Sequence, residues 1–368
     1  MINVRKLRRE ARRISRQAWS GPIELRARLL NALWPWLGRY LTEVRDGECR
    51  RAAQIAVFLV FQPRGCPESL FDTLAVLRGE GYAPLVVVNG RHRRDDLDRL
   101  VRLAWRVMLR PNVGYDFGGY RDGIRHIRAL GIEVEALLIL NDTIWLPAGQ
   151  ESFTLRRLGD IGGDYAALSN FVYRHQRGRA VHLTGRTYAS SFGFRVSRRV
   201  WRSCAFQNFW TRLPLLGSKP KVVERGEVGF SRAMEAAGFA PVTLLDHAET
   251  VRTVLGLPSN RQARFLHQLP VLNHGLRARH SDLIDRLDRA VAGPAEVAAF
   301  LNDALPELNP WDSMVVCGLV EGRIDFAKKA NLKDPTNAAR FLASIDRTGF
   351  HLNQTVRREI EAFARASE

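Results

Sequence analysis

Across residues 52–250 the apolar positions fall into short continuous runs separated by longer amphipathic stretches. Gln54–Phe61 reads Gln-Ile-Ala-Val-Phe-Leu-Val-Phe, a run that suits a strand buried on both faces. Pro63 and Gly65 end it, and residues 68–79 carry a helical pattern that stops at glycine. Tyr82–Asn89 is a second run, 95–105 reads as a helix, and 106–110 as a third strand. A further helix is expected over 118–130 and a fourth strand over 134–140. Strands that alternate with helices of this length predict βαβ crossovers and a mostly parallel sheet. Ligands meet such sheets beyond the carboxyl ends of the strands. The polar residues that follow the apolar runs are therefore the candidates for chemistry.

Two flanks differ from this middle zone. Residues 1–51 are basic and helix-prone, and 251–368 read as mostly helical, interrupted by Pro258, Pro270, Pro294, Pro306, Pro310 and Pro335. The expected organisation is a basic N-terminal segment (1–51), an α/β catalytic domain (52–250) and a helical C-terminal region (251–368) in which no chemistry is visible. The length of 368 residues suits about two domains. Apolar and charged fractions of 46% and 26% are those of an ordinary globular chain, which excludes a collagen, a coiled coil or a long disordered polymer. The four cysteines are scattered without Cys-x-x-Cys spacing, so neither a zinc site nor a disulfide framework is expected. A reducing cytoplasm is the simplest home for such cysteines; no apolar run reaches the 18 residues of a spanning helix, and no signal-peptide core is visible.

Charge changes the picture. The net charge is +18, and 50 of the 56 basic residues are Arg; the six lysines are Lys6, Lys219, Lys221, Lys328, Lys329 and Lys333. Residues 1–51 alone hold 13 basic and five acidic residues. Such a skew fits base-composition drift in the genome, or an anionic partner: nucleic acid, a membrane surface or a phosphorylated substrate.

Two polar clusters follow apolar runs. Pro111–Tyr120 (Pro-Asn-Val-Gly-Tyr-Asp-Phe-Gly-Gly-Tyr) opens a helix with three glycines that let a backbone approach a ligand closely. Its exposed N–H groups favour a phosphate; Asp116 can accept hydrogen bonds from a base or ribose, or can simply cap the helix. Leu138–Thr143 (Leu-Ile-Leu-Asn-Asp-Thr) ends the fourth run with adjacent polar residues. Asp142 there suits a cation bridging a diphosphate, or a plain Asx turn.

Together these segments resemble the rhamnan synthesis F family of glycosyltransferases. The resemblance rests on Asn112–Tyr120 and Leu138–Thr143, with support from Tyr188–Phe194 and from Glu227-Val-Gly-Phe-Ser231. It implies a GT-A-like α/β sandwich that moves a sugar, often rhamnose, from a nucleotide-diphosphate donor to a polysaccharide or polyprenyl-linked glycan acceptor. Asn112, Gly114, Asp116, Tyr120, Asn141 and Ser191 would then bind the donor. Asp142 would be catalytic and, with His247, would meet Mg²⁺ or Mn²⁺. Only one carboxylate stands where such enzymes carry an Asp-x-Asp pair, so arginines bound to phosphate are an alternative to the metal.

Glu227 is the candidate general base, at an expected helix start, where a carboxylate is also favoured simply by the helix dipole. Val228 occupies the position where related enzymes have Asp, so the role can also fall elsewhere. Ser190, Ser191 and Phe192 are expected either in the cleft or on a strand-pairing edge. Trp201, Phe206, Phe209 and Trp210 read as helix core, with one of them a candidate for stacking on a sugar.

Residues 23–41 alternate Leu, Trp and Tyr with Arg, which suits an amphipathic segment on an anionic membrane. Residues 1–45 would then hold the protein peripherally on the inner face of the cytoplasmic membrane. A helix packed on the sheet fits the same pattern. Two other readings stay open: a non-catalytic sugar-nucleotide binder, and a basic nucleic-acid-binding protein. Against the latter, no helix-turn-helix, zinc-finger, RRM or OB signature is present, so no nucleic-acid partner is expected.

Overall fold

The computed structural model describes residues 29–34, 36–177, 180–215, 217–311 and 313–366, and within 173–186 the backbone alone. The first 28 residues, and with them most of the basic segment, lie outside the described residues.

The core is one sheet. Its strands are β1 (Glu43–Asp46), β2 (Gln54–Val60), β3 (Tyr82–Asn89), β4 (Arg106–Arg110), β5 (Ala136–Asn141), β7 (Tyr165–Arg177), β8 (Ala180–Ala189), β9 (Gly193–Ser197) and β10 (Val242–Leu245). The order is β1-β4-β3-β2-β5-β9-β7-β10, with β8 paired to β7. A separate two-stranded sheet joins β6 (Ile144–Trp145) to β11 (Ala327–Lys328). The neighbours β4, β3, β2 and β5 run parallel. Strand β9 is antiparallel to both of its neighbours. The expected mixed α/β architecture with a mostly parallel sheet is thus the one observed. All four central strands predicted from the apolar runs form, because every residue of β3 and β5 is buried and only continuous apolar sequence satisfies that.

Successive crossovers carry the chain from β2 through β3 to β4 on one side, and then back to β5 on the other side of β2. The carboxyl ends of β2 and β5 therefore flank the switch point, where an open crevice forms in such sheets. Helix Tyr115–Ala129 lies directly over this region. A Cβ on Gly119 would come 2.2 Å from Leu59 Cδ1, so only glycine allows this helix to sit so close to β2.

One face of the sheet packs Leu59, Val87 and Met108 against Phe117, Ile124, Trp210 and Phe230. The other packs Phe58, Val86 and Leu140 against Leu74, Phe326, Phe341, Ile345 and Ile360. The second cluster joins the last third of the chain to the sheet, and each fully buried side chain of this kind contributes about 1.5–3 kcal/mol. Helices between Val251 and Met314 form a third, separate cluster.

Two expectations need correction. Residues 43–46 are an antiparallel edge strand on β4 rather than helix; four residues are too few to show a period. Helix 115–129 begins three residues earlier than its pattern suggests, because Gly114, in the left-handed region at φ 79°, turns the chain first. The segment 188–194 straddles a turn: Ser190, Ser191 and Phe192 connect β8 to β9, with the Ser190 N–H still donating to the Ser169 carbonyl at 2.8 Å and the Phe192 carbonyl accepting from the Asn141 N–H at 3.1 Å, so the cleft and pairing readings both apply. Among the described residues, no helix is long and apolar enough to cross a membrane.

Candidate active site

Four segments meet at the switch point. The β5 end brings Asn141 and Asp142, and the helix 115–129 brings Asp116 and Tyr120. The β8–β9 turn brings Ser191, and a helical segment near residue 225 brings Glu227.

Asp142 spans the crevice. Its Oδ2 accepts from the Phe61 N–H at 2.8 Å and from Gln62 Nε2 at 2.9 Å, both at the end of β2. Burial pushes its carboxyl above the ordinary range, and the Phe61 hydrogen bond and Lys329 pull the other way. Asn141 Oδ1 accepts from Thr143 Oγ1 at 2.5 Å, and its Nδ2 donates to Asp116 Oδ2 at 3.4 Å. Asp116 stands in the first turn of its helix and does not cap it; Gly114 occupies the cap position. Burial, reinforced by the Asp142 charge, pushes the Asp116 carboxyl up to about 6, and Lys328 opposes the rise. Tyr120 is fully buried and donates to the Ser191 carbonyl at 3.0 Å. Asn112 is exposed at the rim.

Ser191 Oγ donates to Glu227 Oε1 at 2.8 Å. Burial raises the Glu227 carboxyl, while the Ser191 hydrogen bond and the charges of Lys328 and Lys219 lower it. Glu227 does not sit at a helix start. It lies in a π-helical turn, Val222–Val228, between the short helix Lys219–Lys221 and the helix Gly229–Ala236. The helix-terminus account of this carboxylate therefore fails. Single π turns inside helices are rare and concentrate at functional sites, because the extra residue re-aims a side chain. Gly226 in this turn packs against the Phe117 ring, which fixes the turn to the helix that carries Asp116.

His247 follows β10, three strands along the sheet from β5. It opens a helix after β10, its N–H donates to Asn170 Oδ1 at 2.9 Å, and its Nε2 is 3.4 Å from the Leu305 carbonyl oxygen. Three strand steps separate β10 from β5, which is roughly 14 Å at ~4.8 Å per step. Phe206 and Trp210 are fully buried, and Trp210 stacks on Phe117; both are core.

Composition and periodicity missed the cationic side of the site. Residues 251–368 read as free of chemistry, yet β11 lies along β6 and carries Lys328 into the crevice. Lys328 Nζ is 3.3 Å from Thr143 Oγ1 and 4.0 Å from the centre of the Phe192 ring. Buried Lys329 donates to Ser69 Oγ at 3.3 Å, and Ser69 in turn donates to Glu359 at 2.8 Å. The one available signal was composition: two adjacent lysines in a chain whose basic residues are mostly arginine.

Two carboxylates at the β5 end and the neighbouring helix do not make a resident metal centre. Among the described residues, no group of three or more His, Cys, Asp and Glu side chains could hold a metal ion. One or two carboxylates together with substrate phosphates are, however, the usual way Mg²⁺ is bound. Asp142, at the β5 end, is the carboxylate that would meet a cation travelling with a diphosphate.

The chain is 28% identical over 244 residues to the uncharacterized protein y4gN of Sinorhizobium fredii, covering 65% of this chain and 61% of that protein. The chain thus spans less than two thirds of that curated relative. Among solved structures, the mannosyltransferase Ktr4p from S. cerevisiae is 8% identical, with 46% of this chain and 62% of that chain covered and a TM-score of 0.26. The mannosyltransferase PcManGT from Pyrobaculum calidifontis, solved with GDP-Man and Mn²⁺, is 11% identical, with 93% and 94% covered and a TM-score of 0.31. Residues 85–267, from β3 through the Glu227 turn to the second helix after β10 (Ser259–Gln268), match the family described as Rhamnan synthesis protein F, which bears out the resemblance that the sequence motifs carry.

Proposed function

We propose that this protein is a glycosyltransferase that moves a sugar, rhamnose or a related deoxyhexose, from a nucleotide-diphosphate donor to a polysaccharide or polyprenyl-linked glycan. The observation that carries the reading is the meeting of Asp116, Asp142 and Glu227, from three distant segments, at the sheet's switch point beside Lys328. The family match over residues 85–267 supports it.

In this reading Asp116, Asn112 and Asn141 hold the nucleoside end of the donor, and the backbone around Gly114 lets it approach. Lys328 and Lys219 face the diphosphate charge, which Mg²⁺ or Mn²⁺ accompanying the donor also offsets. Glu227, held by Ser191, accepts the proton of the acceptor hydroxyl as that oxygen bonds to the anomeric carbon. The bond from that carbon to the diphosphate oxygen breaks, and the nucleoside diphosphate leaves. A buried carboxylate with a raised pKa is a better-matched base near neutral pH than an exposed one.

Helix residues 29–34 and 36–41 support a peripheral membrane role. Leu29, Leu33, Trp36, Tyr40 and Leu41 are exposed on it, an apolar set that suits the headgroup boundary in a cytoplasmic enzyme with a lipid-linked acceptor.

Thermal shift with UDP, GDP and dTDP, with and without Mn²⁺, tests the reading. One of them should stabilise the wild type, more so with Mn²⁺, and should not stabilise Asp116→Ala. Release of nucleoside diphosphate with acceptor separates an enzyme from a binder. Stabilisation by DNA and by none of the three would overturn the proposal.

A further inference from the structure

The helix over residues 29–34 and 36–41 has an inner face as well as the exposed one. Leu30, Asn31, Trp34, Leu37 and Gly38 are its less exposed positions. Spacings of three and four put them on one stripe, the pattern of a helix seated on a domain. Trp34 is buried, at 5% exposure. This helix precedes the family match, which begins at residue 85.

Two side chains of that stripe reach the surroundings of Gly114. Asn31 Nδ2 donates to the Leu215 carbonyl at 2.9 Å, and Asn31 Oδ1 accepts from the Leu215 N–H. One side-chain amide thus pairs with both backbone groups of a single residue, which fixes its position and its orientation. Leu215 in turn sits on Gly114: a Cβ on Gly114 would lie 2.8 Å from Leu215 Cδ2. Four residues further along the chain, Lys219 brings its charge to bear on Asp116 and Glu227.

Trp34 acts through an arginine. Its Nε1 donates to Asp122 Oδ2 at 3.2 Å, the oxygen that also accepts from Arg110 Nε at 3.0 Å. The Arg110 guanidinium lies 5.5 Å from the centre of the Trp34 ring. Arg110 is fully buried, and its other two nitrogens donate to the Val113 carbonyl at 2.8 Å and to Asn89 Oδ1 at 2.5 Å. Asn89 Nδ2 donates onward to the Tyr115 carbonyl at 3.4 Å. The indole therefore covers the ion pair that holds residues 113–115. A Cβ on Gly38 would lie 3.1 Å from the indole Nε1. Glycine, a poor helix former, leaves that nitrogen room for its bond.

The loop held in this way is a strained one. Gly114 and Tyr115 both stand in the left-handed region, at φ 79° and 53°. Successive residues of that kind, one of them carrying a Cβ, persist only where the surroundings hold them. Leu215 and Arg110 are those surroundings, and the one helix contacts both.

We infer that this helix braces the loop that leads to Asp116, with Asn31 and Trp34 as positioning residues for donor binding. The inference rests on the transferase reading above and adds which residues outside the crevice shape the donor site. Its test uses full-length Asn31→Ala and Trp34→Phe, with Arg39→Ala, on the exposed face of the same helix, as the control. Hydrogen exchange without ligand should accelerate roughly tenfold at residues 113–118 and 213–215 in both variants, the size of about one lost hydrogen bond. Exchange at 54–60 and 136–141 should match the wild type, which also reports that the variants fold. The dissociation constant of the stabilising nucleoside diphosphate should rise by a similar factor. With a working acceptor, KM for the donor should rise likewise and KM for the acceptor should not. Arg39→Ala should change none of these. Unchanged exchange at 113–118 in both variants, an unchanged nucleotide dissociation constant despite faster exchange, or equal effects from Arg39→Ala would each overturn the inference. Faster exchange as stated, in a protein that no nucleoside diphosphate stabilises even as wild type, would support the brace and count against the transferase reading.

Discussion

Ser191 Oγ sits 2.8 Å from Glu227 Oε1 and donates to it, which joins the turn after β8 to a π turn 36 residues further along the chain. The bond lowers the Glu227 pKa against the burial that raises it. Ser191→Ala removes one lowering contribution and leaves the burial and the lysine charges in place. The acid limb of the pH–rate profile should therefore move to higher pH, with a modest fall in kcat at neutral pH. Glu227→Gln should lose ~10²–10⁴-fold in turnover while donor binding persists. Steady-state kinetics across pH, together with calorimetry of nucleotide binding, check both.

Asp116 gives a prediction about stability. Its carboxyl ordinarily titrates at 3.8 and is raised to about 6 in the fold. For an acid with a raised folded pKa, the folded state holds the proton more tightly than the unfolded state. Stability from this group is therefore greatest below pH 3.8 and is lost progressively as pH rises to about 6. At 1.36 kcal/mol per unit the loss reaches roughly 3 kcal/mol. Asp116→Asn should accordingly raise the melting temperature at pH 7.5 and leave it nearly unchanged at pH 4, while weakening nucleotide binding. Denaturant melts of both proteins at the two pH values measure the difference.

Lys328 Nζ lies 3.3 Å from Thr143 Oγ1, and its charge acts on the candidate base. Lys328→Met keeps the length of the stem and removes the charge. Affinity for the stabilising nucleoside diphosphate should drop by ~1.5–3 kcal/mol, the range for a hydrogen bond to a charged group. Affinity for the corresponding nucleoside should change little. Titration calorimetry with the two ligands separates the effects, and equal loss for both would place Lys328 away from the diphosphate.

Gly119 tests how the helix is seated. An added methyl would meet Leu59 Cδ1 at 2.2 Å on the strand that ends beside Asp142. Gly119→Ala should cost about 1–3 kcal/mol through overpacking. The urea midpoint should fall with an unchanged slope.

The apolar face of residues 29–41 predicts association with anionic vesicles. Vesicles of phosphatidylcholine with phosphatidylserine should pellet the full-length protein in low salt, and less of a variant in which Leu33, Trp36 and Tyr40 are changed to Ser. Equal pelleting of the two would remove the membrane role.

Much of the sheet was legible in the sequence because a strand buried on both faces needs an uninterrupted apolar run, and such runs stand out at 54–60, 82–89 and 136–141. The polar residues that end those runs were legible for the same reason: Asn141 and Asp142 interrupt a wholly apolar strand, and Asn112 to Tyr120 crowd glycines around a helix start. The geometry of Glu227 was not legible. A π turn differs from an α-helix by one residue and leaves no periodic trace over seven positions. Nor could a sequence pattern place Lys328, because β11 is two residues long and reaches the crevice only through pairing with β6, over 180 positions away. Local patterning determined the elements and the candidate polar residues. Long-range pairing and burial decided which of them face one another, since desolvation and charge act through space and not along the chain.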